Sequence, residues 1–189
     1  MSDAVQTMAT TTSDHLLDAA LDVFAVHGFE KTSMADIARR AGLSRTSLYK
    51  YHPTKEDVFI ALSRRINTQV ERAVIEAANR PAGERIRAVV HARVGWIYDL
   101  LSRSPYGREL IDEKNRICGG HALAANDRFA QLLVRLISSE IGDDQAEAGR
   151  ACRVLLAGIN GILGGAVGRE DMERLVDDFI TIFLRGLPR

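Results

Sequence analysis

An all-α fold of about nine helices is what this sequence predicts, and three observations carry the prediction. Apolar residues recur at three- and four-residue steps through most of the chain, as in Val58, Phe59, Leu62, Ile66 and Val70. Capping residues stand just ahead of the periodic segments: Ser13, Ser33, Ser44, Thr54 and Ser104. No stretch alternates apolar and polar residues as a half-buried strand would, and no internal repeat is visible. At 189 residues and 46% apolar content, the chain can build a packed core in one domain or two small ones.

Residues 1–12 are rich in Ser, Thr and Ala, show no periodic face and read as a flexible arm without a basic residue. Residues 13–27 form the first helix, with Leu16, Ala20, Val23, Phe24 and His27 near one stripe and Gly28 at its end. His27 reads there as a structural residue. Ser33 starts the second helix, and Asp36, three residues on, is its capping-box partner. Ile37, Ala38 and Ala41 give that helix one small apolar face. Gly42 suits a left-handed cap, Leu43 plugs the turn, and Ser44 caps a third helix. The third helix presents Arg45, Thr46, Ser47, Tyr49, Lys50 and Tyr51 around a single apolar anchor, Leu48. Pro53 ends it, because the residue before a proline avoids the helical region. Phe24 and Phe29 are expected to pack over Ile37 and Leu48.

Two short helices joined by a glycine-containing turn, the second polar and basic, are the pattern of a DNA-binding helix-turn-helix. The local charge agrees. Arg39, Arg40, Arg45, Lys50 and Lys55 fall in one run without an acidic residue, although the whole chain holds 25 residues of each sign. A charge run alone describes only a solvated face. The turn, the caps and the proline stop add the nucleic-acid reading.

Residues 54–79 read as one long helix, capped by Thr54 with Asp57 and striped by Val58, Phe59, Leu62, Ile66, Val70, Ala73 and Ala77. Residues 82–102 follow, with Ile86, Val90, Val94, Ile97 and Leu101 in line. Arg93 falls on that same stripe, where an unpaired buried charge costs several kcal/mol. It is either a snorkelling or internally paired arginine, or one that faces a pocket for an anionic or polar ligand. Trp96 and Tyr98 lie at the margins of the stripe. Residues 104–118 form a shorter helix ended by Gly119-Gly120, and residues 121–141 the next, with Phe129, Leu132, Leu133, Leu136 and Ile137 on one face. Residues 144–167 and 169–186 make the last pair. Ala157, Gly161 and Gly165 lie four apart in the first of these, which suits close helix–helix approach. The last helix carries a wide apolar face of Met172, Val176, Phe179, Ile180 and Phe183, broadened by Ile182 and Leu184. Asp177 and Asp178 are expected on its exposed side.

Composition and motif searches exclude several functions. None of His15, His27, His52, His91 and His121 has an acidic residue three before it, so a di-metal Glu-x-x-His bundle is not encoded. H-E-x-x-H, G-x-S-x-G and C-x-x-C are missing, and the glycine cluster fits no phosphate loop. No catalytic residue, metal or cofactor is therefore expected. Cys118 and Cys152 form no disulfide framework or zinc site and read as buried thiols. Residues 1–12 lack a signal peptide's basic start and apolar run, and the longest apolar stretch, 154–167, is too short for a bilayer. A cytoplasmic protein without a membrane is expected.

The segment Phe24-Ala25-Val26-His27-Gly28-Phe29-Glu30-Lys31-Thr32-Ser33-Met34, with Ile37-Ala38, Ala41-Gly42-Leu43-Ser44 and Leu48-Tyr49-Lys50-Tyr51-His52-Pro53-Thr54-Lys55-Glu56, resembles the signature of the tetracycline-repressor (TetR) family of bacterial transcriptional regulators. The resemblance covers residues 14–59; beyond it the chain matches only in length and helical layout. One departure is His52, where the family usually carries phenylalanine.

The resemblance implies a helix-turn-helix DNA-binding domain at 13–58 and an effector-binding and dimerisation domain at 59–189. Tyr49, Tyr51 and Lys55 would hold phosphates, and Thr32 and Ser33 would add backbone contacts. Arg45, Thr46, Ser47 and Lys50 would face base edges, with Ser44 and His52 at the helix ends beside the DNA. The implied protein is a homodimer through residues 144–186. It binds a palindromic double-stranded operator and is released by a small-molecule effector; from the stripe of residues 82–102, Arg93 and Trp96 are the expected effector contacts. The competing expectation is an architectural or protein-interaction DNA-binding factor that needs no effector.

Overall fold

A computed structural model of the chain describes residues 2–81 and 83–187; Met1 and Ala82, where the arm and the fifth helix were expected to start, lie outside them. Every regular element among the described residues is an α-helix. They run α1 Ser2–Lys31, α2 Met34–Arg40, α3 Arg45–Tyr51, α4 Lys55–Ala78, α5 Arg85–Arg103, α6 Gly107–Glu140, α7 Gln145–Gly165 and α8 Arg169–Arg185. No helix among these residues is long and apolar enough to cross a membrane.

Eight helices stand where about nine were expected, and the difference lies at Gly119-Gly120. Instead of ending a helix, both glycines sit inside α6. Glycine weakens a helix by about 1 kcal/mol per residue, which packing can override. Here Cys118 and Ala122, one turn apart, are both buried and carry the apolar stripe across the pair. A second difference lies at the start. The backbone is helical from Ser2, through the residues expected to form an arm. That segment holds Ala4, Gln6, Met8 and Ala9, all good helix formers, and neither Gly nor Pro opposes them. The true interruption of α1 is Gly28, at φ 77° and ψ 170°, where a helix end was expected.

The chain divides into two compact units. The first takes the chain through Ile66 together with Arg103–Ala122. Its core holds Leu16, Ala20, Phe24, Phe29, Ile37, Leu48, Val58 and Phe59, all buried. Phe59 meets Phe24 edge-on at 5.3 Å and Phe29 at 5.0 Å between ring centroids, and Phe24 stacks on Phe29 at 5.6 Å. Ser104 Oγ donates to Ala25 O at 2.7 Å and accepts from the Tyr106 N–H at 3.0 Å. Glu109 Oε1 accepts from the Phe29 N–H at 2.9 Å, just past the break in α1. A Cβ at position 28 would lie 2.7 Å from that carboxylate and 2.9 Å from the Tyr106 ring, so glycine is required for space as well as for φ.

The second unit takes Asn67–Ser102 and the chain from Leu123 on. Its core holds Val89, Val90, Val94, Leu133, Ile137, Leu155, Met172, Val176 and Ile180. Asp144 caps α7 by accepting from the backbone of Ala146 and Glu147. The Phe179 ring of α8 lies where a Cβ of Gly158 would stand, so this glycine does serve a close helix approach. Gly161, Gly164 and Gly165 face open space in the single chain.

Asp177, expected on an exposed face, is instead half-buried and joins α5 to α8. Arg87 pairs with its carboxylate and donates to Asp177 O at 3.1 Å and Thr181 Oγ1 at 2.8 Å. His91 Nε2 lies 2.8 Å from Asp177 Oδ1. Burial opposes ionisation of Asp177, but the bonds from His91 and Arg87 outweigh it and hold the carboxyl below its ordinary range.

A methyl group added at Gly119 or Gly120 meets nothing within 4 Å. Gly119→Ala and Gly120→Ala should therefore each raise the stability of the intact protein by about 0.5–1 kcal/mol in urea or thermal unfolding.

Candidate functional site

Two helices of seven residues cannot persist alone, because nucleation consumes most of what so short a helix gains. Caps and packing hold them here. Ser33 and Asp36 form the expected reciprocal box: Ser33 Oγ accepts from the Asp36 N–H, and Asp36 Oδ2 accepts from the Ser33 N–H at 3.1 Å. Gly42, at φ 64°, turns the chain after α2. Ser44 Oγ accepts from the Ser47 N–H at 3.0 Å and starts α3. Leu48 is fully buried and anchors α3, and His52 caps its end through an N–H bond to Leu48 O at 3.0 Å. Thr54 and Asp57 form a second reciprocal box that starts α4.

This construction leaves one face of α3 in solvent. Arg45, Thr46, Tyr49, Lys50 and Tyr51 are exposed, with Tyr49 at 51% and Tyr51 at 42% despite their size. Ser47 is half-buried beside Ser44. Among the described residues Arg45 and Lys50 meet no acidic side chain.

The other expected contacts are internally engaged. Arg39 pairs with Asp36 and Arg40 with Asp22, so two of the five cations in the basic run are neutralised locally. Thr32 is buried, its hydroxyl donating to Gly28 O at 2.6 Å and its N–H to Phe29 O at 3.3 Å. Ser33 spends its N–H in the capping box. Lys55 Nζ donates to Phe29 O at 2.7 Å and Glu30 O at 3.3 Å, and sits 4.3 Å over the Phe29 ring. A cation is favourable at those carbonyls, which close the C-terminal end of α1. Of the run's cations, Arg45 and Lys50 on α3 are thus the ones left without an internal partner among the described residues.

Within the second unit a cleft of about 370 Å³ opens between residues of α4, α5 and α6. Arg93 lines it, and Trp96 is not among its lining residues. The Arg93 guanidinium lies 4.4 Å over the buried Phe129 ring and donates to Asn126 Oδ1. Burial pushes it down from its ordinary range, although an arginine remains charged there. The sequence reading missed the rest of the wall: Asn67, Glu71, Arg128, Gln131 and Arg135. Their signal is polar residues at helical spacing interleaved with apolar ones, as in Ala125, Arg128, Phe129, Leu132 and Arg135 along α6. No group of His, Cys, Asp and Glu among the described residues could hold a metal ion. Cys118 and Cys152 are buried, and burial pushes the Cys152 thiol up, away from the reactive thiolate.

Two outcomes are expected. Lys55→Ala should lower thermal stability while leaving the slope of log affinity for DNA against log salt unchanged; loss of a phosphate contact would lower that slope by about 0.9. Burial also pushes the His52 imidazole down, against a smaller opposing pull from Asp57. The fold therefore favours the neutral ring, and stability falls as pH drops below about 6.5, the unfolded value. The loss of melting temperature between pH 8 and pH 5 should be smaller in His52→Phe than in the parent.

Comparison with known proteins agrees with this geometry. The family model of bacterial regulatory proteins of the tetR family matches residues 16–62, which span the helix-turn-helix. The HTH-type transcriptional regulator BetI of Agrobacterium fabrum is 24% identical over 92% of this chain and 88% of its own. The HTH-type transcriptional regulator RutR of Escherichia coli (strain K12) is 47% identical over 51 residues, 27% of this chain and 24% of RutR. Likeness to RutR is thus confined to the DNA-binding head. Among solved structures, the TetR-family regulator SCO4454 of Streptomyces coelicolor shares the fold at a TM-score of 0.76 and 21% identity, over 95% of this chain and 97% of that one. Residues 16–62 thus match the DNA-binding domain of TetR-family transcriptional regulators, of the helix-turn-helix type, and the whole chain shares their fold.

Proposed function

We propose that the chain acts in the cytoplasm as a homodimeric repressor that binds a palindromic operator and leaves it when a small molecule enters the cleft. The observation that carries this reading is the solvent-facing side of α3, where Arg45, Thr46, Tyr49 and Lys50 surround one buried anchor. Tyr49 and Tyr51 hold phosphates, while Arg45, Thr46, Ser47 and Lys50 read base edges. Arg45 or Lys50 selects guanine, whose O6 and N7 are both acceptors.

Dimerisation through residues 144–186 is supported by surface that the single chain leaves open. Val154 is 60% exposed and Ile182 69%, and Gly161, Gly164 and Gly165 offer a close approach. A two-fold axis then sets two α3 helices one helical turn of DNA apart, which demands an operator of matching symmetry. The functional division is a DNA-binding domain at 13–58 and an effector and dimerisation domain at 59–189. The effector acts by binding more tightly to the conformation that misfits the operator. Arg93 supports this role by its place in the cleft.

In vitro selection of random duplexes on the purified protein, at one stated salt concentration, should enrich a two-fold symmetric site. Enrichment of nothing beyond general duplex affinity would favour an architectural factor instead. Arg45→Ala should relax specificity at one base pair of the selected site and cost about 1–3 kcal/mol there. A uniform loss across operator variants would remove Arg45 from base reading.

A further inference from the structure

We propose that the cleft selects an anionic amphiphile, with a carboxylate seated on Arg93 and an apolar body along the walls. The proposal rests on the reading of the cleft as an effector site and adds the chemical class of its ligand.

The charge balance of the lining is one-sided. Glu71 is its one acidic residue, and it is already paired with Arg128 at 2.5 Å. Arg93 and Arg135 remain, with no carboxylate on either among the described residues. Arg93 has five N–H donors and spends one on the neutral Asn126. Its guanidinium plane is held over Phe129, so the fork is set before a ligand arrives. Half removed from water, it gains more from a bidentate anion than an exposed arginine would.

The remaining walls fix the rest of the ligand. Val70, Val74, Ile75, Leu132 and Phe129 are apolar and adjoin the arginines. A small inorganic anion would leave this surface wet, whereas a hydrocarbon or aromatic body buries it at about 25 cal/mol per Å². A cationic ligand of the same shape meets two like charges, so the site discriminates by repulsion as well as attraction.

The test uses the full-length protein and three probes with one chain length: decanoate, decan-1-ol and decyltrimethylammonium, each below its micellar range. Trp96, the sole tryptophan, lies three residues beyond Arg93 on α5 and serves as fluorescence reporter, with calorimetry as an independent readout. Decanoate should bind at least about ten-fold more tightly than decan-1-ol, and decyltrimethylammonium more weakly than either. Arg93→Met, which keeps an apolar stem, should bring decanoate to the level of the alcohol. Arg93→Lys, which keeps charge without the fork, should fall between. If Arg93→Met does not fold, the three-probe series on the parent decides alone. The proposal is overturned by absent decanoate binding, by equal or preferred binding of the alcohol or the cation, or by a folded Arg93→Met with its preference unchanged. Release of operator DNA is measured separately. Selective decanoate binding without release would overturn the effector reading and keep the ligand class; release by the cation would do the reverse.

Discussion

The contact among Phe24, Phe29 and Phe59 is the constraint on which the DNA-binding head depends. It ties the end of α1 and the start of α4 into one block, against which two seven-residue helices can settle. Ile37 and Leu48 are the principal apolar payload of those helices, and both are fully buried. Everything else on α3 is free to be polar. The exposed polar face of α3 is therefore a by-product of economy in the core: one leucine holds the helix, and the remaining side chains stay in solvent. Lys55 reinforces the same block by satisfying carbonyls at the end of α1, so its charge works inward.

Charge is sorted by the same logic in both units. In the head, Asp22 and Asp36 take up Arg40 and Arg39, while Arg45 and Lys50 on α3 are left without a carboxylate among the described residues. In the second unit, Glu71 takes up Arg128, and Arg93 keeps an aromatic ring and an amide in place of an acid. A guanidinium in such surroundings is held in place without being neutralised. A neutral chain overall thus carries two local positive sites of different depth: one on the open face of α3, the other recessed in the cleft.

The sequence made the helix-turn-helix legible because its signals are local. Ser33 with Asp36, Gly42, Ser44 and Pro53 each act within a turn of themselves, and all of them do so in the structure. Signals that depend on distant partners were harder to read. Gly119-Gly120 looked like a stop because glycine is a poor helix former, but the buried stripe through Cys118 and Ala122 continues across it. Asp177 looked exposed because it neighbours Asp178, yet Arg87 and His91 meet it from a helix about ninety positions earlier. The internal bonds of Thr32 and Lys55 to carbonyls at the end of α1 could not be read either, because those partners carry no sequence signature. The cleft was visible only through Arg93, the one charge placed on an apolar stripe.

The break in α1 is closed from outside its own segment. Glu109 supplies the acceptor for the Phe29 N–H, and Ser104 supplies a donor to Ala25 O, from chain positions 79 and 80 residues later. The reading head is therefore not a self-sufficient piece of sequence. A fragment cut after α4 would keep the recognition helix yet lose the residues that close its foundation. During synthesis the head emerges from the ribosome before those residues exist. Its last hydrogen bonds form only once α6 has begun, so a long loop closure stands between a nascent helix-turn-helix and a finished one.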